Sequence, residues 1–146
     1  METLDDIIFY KLEKAIKTYR QMAQRELIKA GYKITIDQWL IMKVIQESGS
    51  KDIRPSDIST KVFKDAASIT RMLDLLENAN YIRRSNVPGD RRSMRIRLTI
   101  QGIDIIKSVK KLVVRNRAQA LSGITSRDMN KLENSLNQII KNCIES

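Results

Sequence analysis

The chain has 146 residues, with 27 lysine and arginine against 17 aspartate and glutamate residues, no histidine and one cysteine, for a formal net charge of +10. This length fits one ordinary domain, and the missing histidine excludes the usual zinc sites and any Ser-His or Cys-His nucleophile pair. We therefore expect no enzyme, metal or cofactor, and without an apolar run of transmembrane length or a secretory signal we expect a cytoplasmic protein. The excess positive charge indicates an anionic partner, most simply nucleic acid.

The first two predicted elements are helices. Apolar side chains recur at helical spacing over residues 4–30, and Gly31 fits the left-handed residue that ends a helix. A second helix is predicted over residues 35–47, because Thr35 and Gln38 have the spacing of a capping box, in which each side chain accepts a hydrogen bond from the backbone of the other residue.

The middle of the chain predicts two shorter helices and a hairpin. Pro55 predicts a helix start, because proline is favoured in the first turn of a helix. Asp65 is a good N-cap for the next helix, and Pro88-Gly89 marks the hairpin turn. The predicted ranges are 55–62 and 66–79 for helices, 81–86 and 93–99 for strands, and 100–120 for a fifth helix, with a sixth helix after Gly123.

The terminal helices carry more apolar surface than a small middle region can cover. This excess predicts a homodimer in which residues 1–33 and 100–146 form a helical dimerisation region, while residues 34–99 form the DNA-binding region. Apolar residues of the sixth helix follow the three-four spacing of a helix–helix seam, and a core stripe within one chain is the alternative. The candidate interface residues are Leu4, Ile8, Leu132, Leu136, Ile139 and Cys143.

The order of elements predicts a winged helix-turn-helix within a mainly α fold that has a small β-wing. In that arrangement a helix with short side chains at its N-terminal end enters the major groove, and an arginine of the wing reaches the neighbouring minor groove. Positive charge is concentrated in the predicted wing, because residues 83–97 contain six arginines and one acidic residue. Arginine suits forked contacts with phosphates and base edges, and a solvated basic face is the simpler alternative.

Four segments of the chain resemble the MarR family of winged helix-turn-helix regulators. They are residues 65–77, the Tyr81-Ile82-Arg83-Arg84 segment, the Asp90-Arg91-Arg92 wing tip and the Leu98-Thr99-x-x-Gly102 motif. The resemblance covers nearly the whole chain and implies a regulator of transcription that binds specific double-stranded DNA sequences. It further implies a homodimer, more commonly a repressor than an activator, at a pseudo-palindromic operator whose half-sites lie about one helical turn apart.

The resemblance also implies roles for individual residues. Arg92 is expected to enter the minor groove and Asp90 to hold it by an ion pair, with Arg91 near a phosphate. The candidate contacts on the recognition helix are Ala67, Ser68, Thr70 and Arg71, of which Arg71 is the best base reader because arginine can bind G O6 and N7 together. The candidate phosphate contacts are Arg54, Ser56, Thr60, Arg83, Arg84, Arg95 and Arg97.

A regulatory ligand and a different function are the two remaining hypotheses. The resemblance suggests release from DNA by a small phenolic or lipophilic ligand. The candidate lining residues are Tyr10, Tyr19, Met22, Trp39 and Met42, for which plain core packing is the alternative. Cys143 lies far from the N-terminal position at which some relatives sense oxidants, so thiol sensing is not expected. The alternative function is a winged-helix protein-interaction or RNA-binding module without specific operator binding.

Overall fold

The computed structural model describes residues 1–145, and this range contains six α-helices and one antiparallel hairpin. The elements are α1 (Ile8–Lys29), α2 (Ile36–Ser48), α3 (Pro55–Val62), α4 (Ala66–Asn78), β1 (Ile82–Val87), β2 (Asp90–Leu98), α5 (Ile100–Ala120) and α6 (Ser126–Glu145). The prediction of a mainly α fold with a small β-wing is confirmed.

Local hydrogen bonds at the helix starts explain most boundaries. The Thr35 hydroxyl accepts from the Gln38 backbone N–H at 3.1 Å, and the Gln38 side chain accepts from the Thr35 backbone N–H at 2.9 Å, so the predicted capping box is confirmed. The first helix differs from its prediction, because Ile7 is extended (φ −84°, ψ 115°) and separates a 3-10 turn from α1. The Asp6 carboxylate closes that turn by accepting from the Thr3 backbone N–H at 2.8 Å.

Two compact units make up the chain, Met1–Asn116 and a second that begins at Arg117. In the first unit, one apolar cluster joins α2, α3 and α4 to the hairpin through residues that include Ile41, Ile58, Leu73 and Ile96. A second cluster joins α1 to α5 and includes Leu27, Ile34, Val109 and Leu112. α1 and most of α5 belong to the same unit as the helix-turn-helix. The assignment of residues 1–33 and 100–146 to a dimerisation region, and of residues 34–99 to a DNA-binding region, stays a prediction.

Backbone and hydroxyl groups hold the start of α5 against the end of the helix-turn-helix. The Thr99 hydroxyl donates to the Asn80 carbonyl at 2.5 Å and accepts from the Gly102 backbone N–H at 3.0 Å. A Cβ atom on Gly102 would lie 2.2 Å from the Tyr81 carbonyl oxygen, so only glycine fits at this approach. The Leu-Thr-x-x-Gly motif therefore has a structural explanation in the contact between α5 and the segment before β1.

The hairpin is a small sheet with an irregular register near its tip. Asn86 pairs with Met94, but the next residue, Val87, pairs with Asp90, so residues 91–93 of β2 bulge out without opposing residues. Bulges of this kind redirect side chains at the ends of strands. An isolated bridge also ties Ile53, in the segment before α3, to Met94 through two backbone hydrogen bonds of 3.0 and 2.8 Å.

The second unit contains the end of α5 and α6. The Thr125 hydroxyl accepts from the Asp128 backbone N–H at 3.1 Å and caps α6. No described residue of α6 is buried, although apolar side chains follow one stripe of the helix. The predicted seam residues Leu132 and Cys143 are exposed, and Leu136 and Ile139 are half-buried.

Candidate nucleic-acid interface

The N-terminal end of α4 carries small side chains and is capped by a side-chain hydrogen bond. The Asp65 carboxylate accepts from the Ser68 backbone N–H at 2.7 Å, and this hydrogen bond lowers the pKa of Asp65 below its usual range. Ala66 and Ala67 follow the cap and are both exposed. This end of the helix can approach another surface closely, because methyl groups are the largest side chains in its first two positions.

α4 has one buried face and one exposed face. The buried residues are Ile69, Leu73 and Leu76. On the exposed face, the Arg71 guanidinium donates to the Ser68 hydroxyl at 3.2 Å and has no ion-pair partner among the described residues. The Thr70 hydroxyl donates to the Ala66 carbonyl at 3.1 Å. Arg71 therefore keeps most of its donors available, while Thr70 has already used its hydroxyl hydrogen within the helix.

Asp90 holds the backbone of the wing bulge. Its carboxylate accepts from the Arg92 backbone N–H at 2.9 Å and from the Ser93 hydroxyl at 2.9 Å. The backbone hydrogen bond is the main reason that the pKa of Asp90 lies below its usual range. The expected ion pair between Asp90 and the Arg92 guanidinium is absent, because the carboxylate is turned toward the bulge backbone. Arg91 and Arg92 are both exposed on this bulge.

Arg84, one of the candidate phosphate contacts, is part of an ion-pair cluster between β1 and α4. Its guanidinium donates to Asp74 at 2.5 Å and to Glu77 at 3.1 Å. The Glu77 carboxylate also accepts from the Arg84 backbone N–H at 2.8 Å, which lowers the pKa of Glu77. Burial opposes the charge on Arg84, but the two carboxylates outweigh it and raise the pKa of the guanidinium. Arg84 therefore fixes the wing on α4.

Two further candidate phosphate contacts are also engaged within the chain. Arg95 donates to Asp52 at 3.2 Å. Arg97 donates to the backbone carbonyls of Ser50 at 2.6 Å and Lys51 at 3.2 Å. Arg95 and Arg97 thus both bind the loop between α2 and α3, which leaves them fewer donors for a phosphate.

The remaining candidates differ in how available their polar groups are. The Thr60 hydroxyl donates to the Ser56 carbonyl at 3.0 Å, whereas the Arg54 and Ser56 side chains are exposed at the start of α3. Arg83 is exposed and makes only a long contact of 3.5 Å with the Asn80 amide oxygen. Arg54, Ser56 and Arg83 therefore join Arg71, Arg91 and Arg92 as exposed polar groups on the helix-turn-helix and wing.

A carboxylate that sequence reasoning missed connects α1, α2 and the turn before α4. Asp37 forms an ion pair with Arg20, and its second oxygen lies 3.3 Å from the Lys64 ammonium. Lys64 directly precedes the residue that caps α4. These groups lie 17 and 27 positions apart in the sequence, so no local spacing signals the cluster.

An apolar cavity of about 230 Å³ lies between α1, α2 and α5 of the first unit. Tyr19 and Trp39 line it as proposed, whereas Met42 is buried in the other core cluster and Tyr10 faces a separate groove. Met22 is half-buried and is not among the cavity-lining residues. Asn116 lines the cavity at 3% exposure, and its amide oxygen and the Trp39 indole N–H have no hydrogen-bond partner among residues 1–145.

Residues 1–145 contain neither a candidate metal site nor a candidate membrane-spanning helix. No group of three or more His, Cys, Asp or Glu side chains is arranged to hold a metal ion in that range. The helices in the same range include none that is long and apolar enough to cross a membrane.

Comparison with known proteins places the chain among transcriptional regulators. The MarR family model matches residues 34–94. The regulator YhbI of Bacillus subtilis is 30% identical over 82% of this chain and 79% of its own length, and PecS of Dickeya dadantii is 29% identical over 79% and 70%. Among solved structures, the MarR-family regulator AbsC of Streptomyces coelicolor has a TM-score of 0.83 at 20% identity, covering 100% of this chain and 98% of its own. A MarR mutant from Escherichia coli complexed with operator DNA has a TM-score of 0.81 at 21% identity, covering 95% and 99%.

The arrangement of α3, α4 and the wing defines a winged helix-turn-helix protein, and such a protein with these relatives is a DNA-binding transcriptional regulator. The chain belongs to the MarR family. Its relatives are named for a regulatory role rather than for a reaction, which confirms the prediction that the chain is not an enzyme.

Proposed function

We propose that the chain is a homodimeric repressor that binds a pseudo-palindromic operator through α4 and the wing, in the cytoplasm. This proposal rests on two features that occur together. The start of α4 is capped and carries only small side chains, and the wing has a bulge that exposes Arg91 and Arg92. The first feature suits entry into the major groove, and the second suits an arginine contact in the minor groove. Arg71 is the proposed base reader, because its guanidinium faces outward without an ion-pair partner.

Exposed apolar residues at both ends of the chain support the homodimer. Leu4 and Ile8 are 62% and 58% exposed, and α6 buries none of its described residues. Large exposed apolar residues on one helix commonly mark a protein–protein interface. The proposed interface residues are those predicted from the sequence: Leu4, Ile8, Leu132, Leu136, Ile139 and Cys143.

The apolar cavity supports regulation by a small lipophilic or phenolic ligand. Its volume of about 230 Å³ suits a molecule with one or two rings, and Asn116 and Trp39 bring unpaired polar atoms to its wall. Arg20 also lines the cavity and is paired with Asp37, which in turn pairs with Lys64 beside the α4 cap. An anionic ligand drawn to Arg20 competes with Asp37, and we propose that this competition loosens the turn before α4.

Operator binding is tested by fluorescence anisotropy with DNA from upstream of the chain's own gene. The wild-type dimer is titrated at about 0.15 M salt against this duplex and against a scrambled duplex. We expect a preference of roughly 10³-fold or more for the upstream DNA. Arg92→Ala should weaken binding by about tenfold or more.

Arg25→Ala is the matched control, because Arg25 is an exposed arginine on α1 and its loss changes the net charge equally. It should reduce affinity much less than Arg92→Ala. Weak binding that ignores sequence and is equal in both variants would contradict the proposal. That result would favour the protein-interaction or RNA-binding alternative, which predicts indifference to duplex sequence.

A further inference from the structure

Phe63, which connects α3 to α4, adopts a conformation that its residue type disfavours. Its backbone is left-handed, with φ 59° and ψ 41°, and the residue is 92% exposed. A side chain with a Cβ atom is strained in this region, where glycine or asparagine is the usual choice. The phenyl ring also remains in water and lies outside both apolar clusters of the first unit. Neither turn formation nor burial therefore explains a phenylalanine at this position.

The two residues that follow Phe63 are held by contacts within the chain, whereas the Phe63 ring is exposed. Lys64 is held toward α2, because its ammonium lies 3.3 Å from the Asp37 carboxylate. Asp65 is held toward the helix, because its carboxylate caps α4. Of the three residues of this turn, only Phe63 projects a side chain with no described ion-pair or hydrogen-bond partner. Strained residues that persist without a folding benefit are concentrated at functional sites.

The position of the turn connects Phe63 to DNA recognition. The turn leads directly into the N-terminal end of α4, where Ala66 and Ala67 leave room for close approach. A recognition helix in the major groove contacts base edges with its N-terminal residues, and Phe63 lies three positions before the first residue of α4. The one apolar group that the bases present in the major groove is the C5-methyl of thymine, and phenylalanine is among the side chains that contact it.

We propose that Phe63 is a specificity-determining residue whose ring contacts the C5-methyl group of one thymine in each half-site. This inference rests on the proposed operator binding. It assigns to the turn a base preference that is independent of the hydrogen bonds made by Arg71. A glycine in the same place forms the turn without strain but cannot make this contact.

The test begins with selection of binding sites from a random duplex library, using the full-length wild-type chain and Phe63→Gly in parallel. We expect both proteins to enrich the same pseudo-palindrome, except that Phe63→Gly loses the preference for thymine at one symmetry-related pair of positions. Leu75→Ala is the matched control, since Leu75 is an exposed apolar residue in the C-terminal half of α4, and it should keep that preference.

The second step replaces those two thymidines by deoxyuridine, which lacks only the methyl group. Wild-type affinity should fall about fourfold per half-site, or roughly 15-fold for both, while Phe63→Gly should bind both duplexes equally. Phe63→Leu should retain part of the sensitivity. Thermal unfolding monitors the fold, and Phe63→Gly should unfold at a higher temperature than wild type because its backbone strain is relieved.

The outcomes distinguish this inference from the proposed function. If the wild type enriches no sequence, operator binding itself fails and the inference fails with it. If wild type and Phe63→Gly enrich identical sites, or deoxyuridine affects them equally, operator binding stands and the thymine contact is overturned. A change in oligomeric state with unchanged base preference also overturns it and assigns Phe63 to a protein contact.

Discussion

Asp90 acts on the backbone of the wing rather than on the arginine side chain beside it. Its carboxylate accepts from the Arg92 backbone N–H and from the Ser93 hydroxyl, and these two bonds shape the bulge that exposes Arg91 and Arg92. In this role Asp90 acts through its two oxygen atoms, which accept hydrogen bonds from the bulge, and not through its negative charge. The family resemblance points to Asp90 as a wing residue, and the fold shows that its carboxylate contacts the Arg92 backbone and the Ser93 hydroxyl.

Substitution of Asp90 distinguishes hydrogen bonding to the bulge from an ion pair with the Arg92 side chain. Asp90→Asn keeps an oxygen acceptor for the Arg92 N–H, whereas Asp90→Ala removes both acceptors. We expect Asp90→Ala to weaken operator binding roughly fivefold and Asp90→Asn to weaken it much less. Anisotropy titration at one salt concentration provides the measurement. Equal losses in the two variants would instead support an ion pair to the Arg92 guanidinium.

At the scale of elements, the Arg84 cluster attaches the wing to the recognition helix. Glu77 on α4 accepts hydrogen bonds from both the backbone and the guanidinium of Arg84, and Asp74 accepts a third. In the proposed mode of binding the wing and α4 reach adjacent grooves together, so their relative position matters for operator affinity. Arg84 therefore contributes to recognition through positioning even if it touches no phosphate.

This attachment should weaken in acid. The Arg84 backbone N–H is the main cause that lowers the pKa of Glu77 from its ordinary value of 4.5, so the folded state favours the charged carboxylate. That contribution is fully present above pH 4.5 and is lost as the pH falls through the lower folded-state pKa. In urea unfolding at pH 7, the free energy of unfolding of wild type should exceed that of Glu77→Gln by about 1 kcal/mol. The difference should shrink below pH 4.5, and a difference that stays constant into acid would contradict the assigned cause.

The junction between the wing and α5 depends on one glycine. A Cβ at Gly102 would meet the Tyr81 carbonyl oxygen at 2.2 Å, and backbone atoms cannot move aside as a flexible side chain can. Gly102→Ala should therefore destabilise the protein by about 1–3 kcal/mol, despite the better helix propensity of alanine. Urea unfolding measures the loss, with Gln101→Ala as an exposed control in the same turn of α5. Equal stability of the two variants would show that α5 shifts at no cost.

The sequence predicts helix boundaries better than it predicts side-chain contacts between distant residues, for a physical reason. Helix starts depend on residues three positions apart, such as Thr35 and Gln38, so their signals are local and readable. Arg95, a predicted phosphate contact, donates to the Asp52 carboxylate 43 residues away, and charge spacing in the sequence cannot reveal such a pair. The start of β2 was missed for a related reason, because the bulge at residues 91–93 depends on pairing across the hairpin.

At the scale of the whole molecule, operator affinity should depend on the proposed dimer. In the proposed complex, one recognition helix and one wing contact a single half-site, and linking two copies multiplies affinity by an effective concentration. Leu136→Glu places a charge on the apolar stripe of α6, where burial in a dimer would be costly. Since α6 buries none of its described residues within the chain, the variant should remain folded and become monomeric in sedimentation.

The same variant should lose operator affinity by about 10²-fold or more. Asn134→Glu is the control, because it adds the same charge to an exposed polar position of α6 and should leave both the dimer and the affinity intact. If Leu136→Glu stays dimeric, the interface lies on other residues, and the exposed N-terminal residues Leu4 and Ile8 become the next positions to substitute. If it becomes monomeric but binds the operator as tightly as wild type, a single helix and wing supply the affinity, and the requirement for two half-sites is lost.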